Sequence, residues 1–318
     1  MSTTKIGLGL AALGRPEYIN IRVDNTLNKS EEAFTENAFK VLNFAYKQGI
    51  RYFDTAPSYG KGEQFLTNWN SKYKYKDATL STKWGYTYVA NWELGFNGAH
   101  EVKVHSLSKL LEQWEISKKL LPELKIYQVH SATFESGILD NEDVLNQLFE
   151  IKQQTGLQIG ITTSGANQSK IIDAALKIKI GTIDLFDSFQ VTYNILEQST
   201  HAILKYLMQQ GKTVIIKEAL ANGRIFKNEE FSHYQKLYAV LESLSKKYQV
   251  GVDAIALRYV MDALTPTYVL SGASNIDQLQ QNIKAQNFKL EKEELSVLRS
   301  FITVSKAYWE ERNKLHWN

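Results

Sequence analysis

Cysteine is absent from this chain of 318 residues. Without thiols the protein cannot form disulfide bonds, hold zinc through thiolates or use a cysteine nucleophile. The six histidines are not spaced like the paired ligands of a zinc site, so we expect no metal site.

Long apolar runs and clusters of like charge are absent as well. No run of 18 apolar residues occurs, so we expect no membrane-spanning helix. The net charge is +3, from 37 basic and 34 acidic residues that are scattered along the chain. A nucleic-acid-binding surface needs basic residues concentrated on one side, so we expect no nucleic-acid partner. The N-terminal residues lack the apolar core of a secretory signal, which predicts a cytoplasmic location.

Short apolar runs, typical of parallel strands that are buried on both faces, recur along the whole chain. Eight such strands are predicted, over 5–8, 52–54, 79–82, 126–130, 158–162, 185–191, 214–218 and 268–271.

Helical patterns fill the segments between these runs. Ser30 is a typical capping residue that precedes two acidic residues and an apolar stripe, and Gly49 follows as a stop signal. Similar patterns predict helices over 141–154 and 197–210, and Asn275 begins another.

Strands that alternate with helices, without a Pro/Gly-rich linker, predict a single-domain (β/α)8 TIM barrel over residues 1–318. The alternative is a doubly wound open sheet, which normally has a G-x-G-x-x-G turn after its first strand. Gly7 and Gly9 supply the first two glycines, but the third is missing and no helix pattern follows, so the barrel is favoured. We expect the C-terminal tail, 301–318, to dock on the barrel.

Four polar residues lie at or just after the ends of predicted strands. Asp54, Lys83 and His130 each end an apolar run, and Tyr59 follows Asp54 by five residues. Taken alone, each has an ordinary interpretation: a turn cap, a packed tyrosine, a surface lysine or a structural histidine. Strand ends of a barrel meet at its catalytic mouth, so the joint pattern predicts a catalytic set.

An acid, a phenol, an amine and an imidazole suit proton transfer at a carbonyl group. We expect the charge of Lys83 to lower the pKa of Tyr59, and Asp54 to keep Lys83 charged and oriented. His130 would donate a hydrogen bond to the carbonyl oxygen, which Tyr59 would protonate as general acid.

The long connection after Lys83 is rich in aromatic residues. Loops that follow barrel strands form the catalytic face, so Trp84, Tyr86 and Trp92 are candidates for the wall of a substrate pocket. The alternative is that these side chains only pack the loop onto the rim of the barrel.

The residues around the catalytic set resemble the signature of the aldo-keto reductase superfamily. The segment GIRYFDTAPSYG over 49–60 matches the motif after its second strand, STK over 81–83 its lysine strand, and YQVH over 127–130 its histidine strand. The resemblance covers nearly the whole chain. It implies a barrel that reduces aldehydes or ketones with NAD(P)H, or oxidises a sugar or alcohol, without metal or flavin. Tyr59 would be the proton donor, and the partner a small carbonyl compound or sugar.

The resemblance also implies cofactor-binding residues in the second half of the chain. They are Thr162, Thr163 and Gln190 for the nicotinamide carboxamide, Lys217, Leu220, Asn222 and Gly223 for the pyrophosphate, and Gly272, Ser274, Gln278, Gln281 and Asn282 for the adenosine part.

Departures from the family pattern concern the cofactor. Lys217 stands where the family often has an aromatic residue that stacks on nicotinamide, and Gln278 stands where a basic residue often binds a 2′-phosphate. Ser274 could still hold a phosphate, so the resemblance implies NADP(H), with NAD(H) as the alternative.

Other function classes remain open at this point. A cofactor-binding regulatory protein with little turnover could use the same fold, because a fold does not guarantee activity. A lyase or aldolase could use Lys83 or Lys217 as a Schiff-base amine.

Overall fold

The computed structural model describes residues 4–18 and 28–317. Its strands, in chain order, are β1 Lys5–Gly9, β2 Tyr52–Asp54, β3 Thr79–Trp84, β4 Tyr86–Tyr88, β5 Glu101–Lys103, β6 Leu124–Ala132, β7 Gln158–Thr163, β8 Lys179–Ile180, β9 Ile183–Asp184, β10 Ser188–Thr192, β11 Thr213–Lys217 and β12 Tyr268–Ser271. Its α-helices are α1 Glu31–Lys47, α2 Gly62–Tyr73, α3 Leu107–Ser117, α4 Glu142–Thr155, α5 Gln168–Leu176, α6 His201–Gln209, α7 Gln235–Tyr248, α8 Val252–Leu264, α9 Ile276–Ile283, α10 Lys292–Arg299 and α11 Ser305–Arg312.

Parallel strands close into a barrel, which confirms the predicted fold. The order around the barrel is β1, β12, β11, β10, β7, β6, β3 and β2, and β2 pairs back with β1. The remaining strands form two antiparallel hairpins, β4 with β5 and β8 with β9. The hairpin of β4 and β5 lies within and just beyond the aromatic-rich connection after Lys83.

Helix ends follow the sequence signals. The Ser30 side chain accepts a hydrogen bond from the amide of Ala33 at 3.2 Å, and Asn141 and Asn275 cap α4 and α9 in the same way. Gly156, which ends α4, has φ +71°, in the left-handed region where glycine has no steric penalty.

Two predicted elements begin too early. Strand β10 begins at Ser188 rather than at 185, because the chain first leaves the β8–β9 hairpin, where Leu185 bonds to the carbonyl of Ile178 at 3.1 Å. Helix α6 begins at His201 rather than at 197, because the Asn194 side chain accepts from the amide of Glu197 at 2.9 Å and forms a turn.

Apolar side chains fill the barrel interior on the side opposite the predicted catalytic mouth. Tyr52, Ile126, Ile215 and Leu270 form this buried layer, and the ring of Tyr268 stacks on Tyr52 at 4.0 Å. The larger core lies between the strands and the surrounding helices. Polar residues at the carboxyl ends of the strands therefore rest on a packed apolar base.

The C-terminal residues pack against the barrel. Tyr308 and Trp309 of α11 are buried, and Glu311 pairs with the buried Arg224 at 2.8 Å. Within residues 4–18 and 28–317, none of the helices is long and apolar enough to cross a membrane.

Candidate active site

Neighbouring strands bring the four predicted catalytic side chains to one end of the barrel. Asp54 is the last residue of β2, Lys83 lies near the end of β3, and His130 lies near the end of β6. Tyr59 lies in the loop between β2 and α2. Because parallel strands all point the same way, these ends share the carboxyl-terminal face, where barrel enzymes carry out their chemistry.

Lys83 and Asp54 form a buried ion pair. The Lys83 Nζ lies 2.5 Å from Asp54 Oδ2 and donates to the carbonyl of Thr55 at 2.8 Å. The side chain of Lys83 is fully buried and that of Asp54 is 2% exposed. The other carboxylate oxygen of Asp54 accepts from Ser81 Oγ at 3.1 Å and from Gln190 Nε2 at 2.9 Å. Hydrogen bonds thus compensate both charges for the loss of water.

Tyr59 lies between the lysine and the histidine. The Lys83 Nζ is 4.7 Å from the centre of the Tyr59 ring, within the range of a cation–π contact. The Tyr59 and His130 rings are 5.6 Å apart and almost perpendicular, at 85°. The structure therefore brings the four residues together.

His130 is a neutral imidazole at physiological pH. Burial lowers its pKa well below the usual value, and the nearby charge of Lys83 lowers it further. Its Nδ1 lies 3.4 Å from Ser58 Oγ, and its backbone carbonyl lies 3.0 Å from His105 Nε2. A neutral imidazole can donate one hydrogen bond to a carbonyl oxygen without carrying a charge.

Lys83 does not bring the pKa of Tyr59 below its ordinary value in this structure. The pKa of Tyr59 is raised well above 10, first because the phenol is buried and second because of the Asp54 carboxylate. The field of Lys83 is offset by the close carboxylate of Asp54, and burial lowers the pKa of Lys83 itself. Tyr59 is therefore a protonated phenol at neutral pH.

Arg15 is a neighbour of Tyr59 that we did not identify from the sequence. Its guanidinium lies 5.2 Å from the centre of the Tyr59 ring, donates to the carbonyl of Ser58 at 3.1 Å and pairs with Glu101 at 2.6 Å. The signal was a single arginine at the end of the otherwise apolar loop Leu10-Ala11-Ala12-Leu13-Gly14, directly after β1.

Of the predicted pocket aromatics, only Tyr86 lies beside the catalytic residues, with its ring 4.8 Å from that of His130. Trp84 follows Lys83 in β3, so its side chain lies on the opposite face of the strand, where it is fully buried in the core. Trp92 packs edge-on against Phe34 at 5.4 Å. Trp84 and Trp92 thus take part in packing, as the alternative interpretation expects, and their place in a pocket wall stays a prediction.

A second cluster of charged residues lies at the end of β11. Lys217 Nζ donates to Ser164 Oγ at 2.8 Å and to Thr192 Oγ1 at 3.0 Å. Burial lowers the pKa of Lys217 to about 8. The next residue, Glu218, pairs with Arg312 of α11 at 2.9 Å. Burial opposes ionisation of Glu218, but Arg312 and Lys217 outweigh it and lower the pKa of this carboxyl to about 2.

The predicted carboxamide-binding residues differ in their surroundings. Gln190 lies among the catalytic residues through its bond to Asp54. The Thr162 hydroxyl accepts from the amide of Ser131 at 2.7 Å, and the Thr163 hydroxyl donates to Gln168 at 3.4 Å.

The loop after β11 has an unusual backbone. Glu218, Ala221 and Asn222 have φ of 54°, 48° and 55°, and Gly223 has φ of 90°. Non-glycine residues rarely adopt this left-handed region, and such strain concentrates at functional sites. Leu220 lies within the same loop and is half-buried.

The loop after β12 leads into α9. A side chain at Gly272 would meet no atom within 4 Å, and Gln278 accepts from the amide and hydroxyl of Ser274 at 2.9 and 3.1 Å. Gln281 is exposed and accepts from Lys284 at 2.7 Å. Asn282 is only 2% exposed, and its side-chain amide lies 2.8 Å from Ser271 Oγ, so it links α9 to β12 inside the protein.

Sequence comparisons relate this chain to a known protein family. The model of the aldo/keto reductase family matches residues 5–303. An uncharacterized oxidoreductase of Bacillus subtilis is 24% identical over 94% of this chain and 93% of its own length, and L-galactose dehydrogenase of Arabidopsis thaliana is 25% identical over 89% and 87%.

Solved structures agree at the level of the fold. The holo form of an aldo-keto reductase from Bacillus halodurans superimposes with a TM-score of 0.69 at 19% identity, over 95% of this chain and 93% of that chain. A glycerol dehydrogenase from Gluconobacter oxydans gives 0.69 at 19% identity, over 94% and 91%. The family model covers almost the whole chain and the barrel is that of the solved relatives, so the protein belongs to the aldo/keto reductase family of oxidoreductases.

Proposed function

We propose that this protein interconverts a small carbonyl compound and its alcohol with NAD(P)H, with Tyr59 as the general acid and base. One observation carries the proposal. The Nζ of Lys83, in its buried pair with Asp54, lies 4.7 Å from the centre of the Tyr59 ring, and the His130 ring lies 5.6 Å from the same ring at the mouth of the barrel.

The protonation states support this assignment. The raised pKa of Tyr59 keeps its hydroxyl protonated at neutral pH, as a general acid requires. The lowered pKa of His130 keeps the imidazole neutral, so that it orients a carbonyl oxygen by hydrogen bonding. Bound nicotinamide would supply the hydride to the carbonyl carbon, and Tyr59 would protonate the oxygen.

The residues after β11 and β12 fit the phosphates of a dinucleotide. The left-handed residues of 217–223 and the open space at Gly272 leave backbone accessible there, and the N-terminus of α9 attracts anions. NADP(H) is the proposed cofactor, because Ser274 can donate to a 2′-phosphate. NAD(H) is the alternative, because position 278 holds glutamine.

Charged pairs near Tyr59 support a polar, hydroxylated substrate. Both Glu101 and Glu218 raise the pKa of Tyr59, which indicates that both lie near the phenol. Each is paired with an arginine, Arg15 at 2.6 Å and Arg312 at 2.9 Å. Such ion pairs can form hydrogen bonds with the hydroxyl groups of a bound substrate. An aromatic substrate would instead favour a pocket lined by apolar side chains. The names of the sugar and glycerol dehydrogenases among the relatives agree with this class.

Tyr59→Phe provides the direct test of the proposed role. We expect carbonyl reduction to fall by at least about a hundredfold, because the proton donor is removed, while cofactor binding stays nearly unchanged. Turnover would be followed by nicotinamide absorbance with aldoses, hydroxyaldehydes and benzaldehydes, and binding of NADPH and NADH by fluorescence quenching. Tyr206→Phe, at an exposed tyrosine of α6, is the matched control and should not change turnover.

Two outcomes would contradict the proposal. Substantial turnover by Tyr59→Phe would show that another group donates the proton. A wild-type protein that binds the cofactor but reduces none of these carbonyl compounds would favour a cofactor-binding regulatory protein.

A further inference from the structure

Arg15 is a buried cation in contact with the face of Tyr59. Its side chain is 2% exposed, and its guanidinium lies 5.2 Å from the centre of the Tyr59 ring. The rings of Tyr18 and Trp317 lie 4.9 and 4.7 Å from the same group. Three aromatic rings thus surround this guanidinium.

Two hydrogen bonds hold the guanidinium of Arg15 in place. One nitrogen, Nη1, donates both to Glu101 Oε1 at 2.6 Å and to the carbonyl of Ser58 at 3.1 Å. Ser58 directly precedes Tyr59, so this bond links the guanidinium to the backbone that carries the phenol. These two bonds give Arg15 a defined position relative to Tyr59.

We propose that Arg15 is a positioning residue for Tyr59, whose charge sets the pH range over which the phenol donates and accepts its proton. This inference rests on the proposed role of Tyr59 as acid and base. It assigns the main electrostatic control of Tyr59 to an arginine in the loop after β1, beside the Lys83–Asp54 pair.

Electrostatics support the geometric argument. Burial, Asp54, Glu101 and Glu218 all raise the pKa of Tyr59, and Arg15 is the cation that opposes them most strongly. Lys83 lies as close to the ring, but Asp54 holds it at 2.5 Å and offsets its charge.

A purely structural role for Arg15 would not require a positive charge at this position. Burial of a guanidinium costs several kcal/mol before its partners compensate, and apolar residues of the same volume often pack as stably. Within residues 4–18 and 28–317, the Nε of Arg15 has no hydrogen-bond partner, although it is buried. A charge that is retained at this cost beside the proposed acid indicates an electrostatic role.

Other charged and titratable groups face Tyr59 from the neighbouring elements. They are Tyr18 on the same loop as Arg15, Tyr52 and Asp54 of β2, Lys83 of β3, Glu101 of β5, His130 of β6 and Glu218 after β11, which pairs with Arg312 of α11. The test must therefore separate the charge of Arg15 from these neighbours.

The experiment compares Arg15→Gln, which removes the charge, with Arg15→Lys, which keeps it. We expect the alkaline limb of the kcat–pH profile for carbonyl reduction to move upward by roughly one pH unit in Arg15→Gln, because the phenolate loses a stabilising cation. Arg15→Lys should keep the limb near that of the wild type. Trp317→Leu removes an aromatic neighbour but no charge, so it should not move the limb.

The Glu101→Gln background gives a second comparison. Loss of this carboxylate should move the limb to lower pH, and addition of Arg15→Gln should move it back upward. The neutral pair of glutamines leaves no buried charge unpaired, so this comparison remains informative if Arg15→Gln alone does not fold.

The inference would be overturned if the alkaline limb lay at the same pH with and without the Arg15 charge, in both the wild-type and the Glu101→Gln backgrounds. A shift in Trp317→Leu as large as that in Arg15→Gln would also overturn it, because packing alone would then explain the effect. Failure of the proposed function is distinguishable, because Tyr59→Phe would then retain turnover whatever the Arg15 variants do.

Discussion

Lys217 is a half-buried amine near the catalytic mouth, and its surroundings disfavour its charge. Burial is the main cause of its lowered pKa of about 8; Glu218 opposes this shift, and Arg312 and Lys83 add smaller repulsions. In an unfolded chain the same amine titrates near 10.4. Between these values the unfolded chain binds more protons than the folded protein.

Lys217→Met should therefore stabilise the protein at neutral pH. A folded pKa below the unfolded one means that the lysine destabilises the fold below about pH 8 and that the penalty is relieved as pH rises towards 10.4. We expect a gain of about 1–2 kcal/mol at pH 7, since each pKa unit corresponds to about 1.4 kcal/mol and the lost bonds to Ser164 and Thr192 offset part of it.

Urea unfolding at pH 7 and pH 10 would measure this gain and its pH dependence. The difference between Lys217→Met and the wild type should shrink at pH 10. Lys306→Met, at a lysine whose side chain is 82% exposed, is the matched control and should show no such dependence. A difference that is equal at both pH values would contradict the argument.

Individual site residues were predictable when strand position alone determined their place. Asp54, Lys83 and His130 end apolar runs, and parallel strands then place them together. Arg15 was not predictable in this way, because its place depends on a turn at Gly14 and on the C-terminal residue Trp317, 302 positions away in the sequence.

At the scale of elements, α11 is held to the barrel by a buried charge. Arg224 is fully buried and its guanidinium lies 4.1 Å from the centre of the Tyr308 ring. Glu311 pairs with Arg224 at 2.8 Å and also contacts His233 and Tyr234 at 2.8 and 2.9 Å. This carboxylate therefore joins α11 to the segment between β11 and α7.

Glu311→Ala should lower the free energy of unfolding by roughly 3 kcal/mol, because it leaves the Arg224 guanidinium buried without its counter-ion. Glu310→Ala is a close control, since Glu310 is the neighbouring residue of α11 and its side chain is 60% exposed. Urea unfolding should show no measurable change in the control. Equal loss in both variants would instead indicate a general effect on the helix.

Element boundaries were predictable where a local signal exists. Ser30, Asn141 and Asn275 cap helices through their own side chains, and the sequence reveals such residues. The predicted starts at 185 and 197 were wrong for two reasons. Apolar Leu185 is buried outside the barrel strand, and Asn194, which bonds to Tyr308 114 positions away, folds the residues that follow it into a turn.

At the scale of the whole molecule, barrel closure depends on how the interior is filled. Gly7 and Gly9, which resembled the start of a dinucleotide-binding turn, both lie within β1, where Gly9 pairs with Asp54. A Cβ at Gly7 would lie 2.6 Å from Cδ1 of Tyr52 and 3.1 Å from Cδ2 of Leu270, both in the apolar layer. Gly7 thus makes room for the aromatic side chain that fills the barrel beside it.

Gly7→Ala should lower the free energy of unfolding by about 1–3 kcal/mol, because the added methyl group forces Tyr52 and Leu270 from their places in a closed barrel. Gly9→Ala is the matched control in the same strand. Its Cβ would meet the nearest atom at 3.6 Å, an ordinary van der Waals distance, so stability should be unchanged or slightly higher. Thermal and urea unfolding of both variants would measure the difference. If Gly7→Ala proves as stable as Gly9→Ala, the apolar layer can repack, and closure of the barrel does not depend on this glycine.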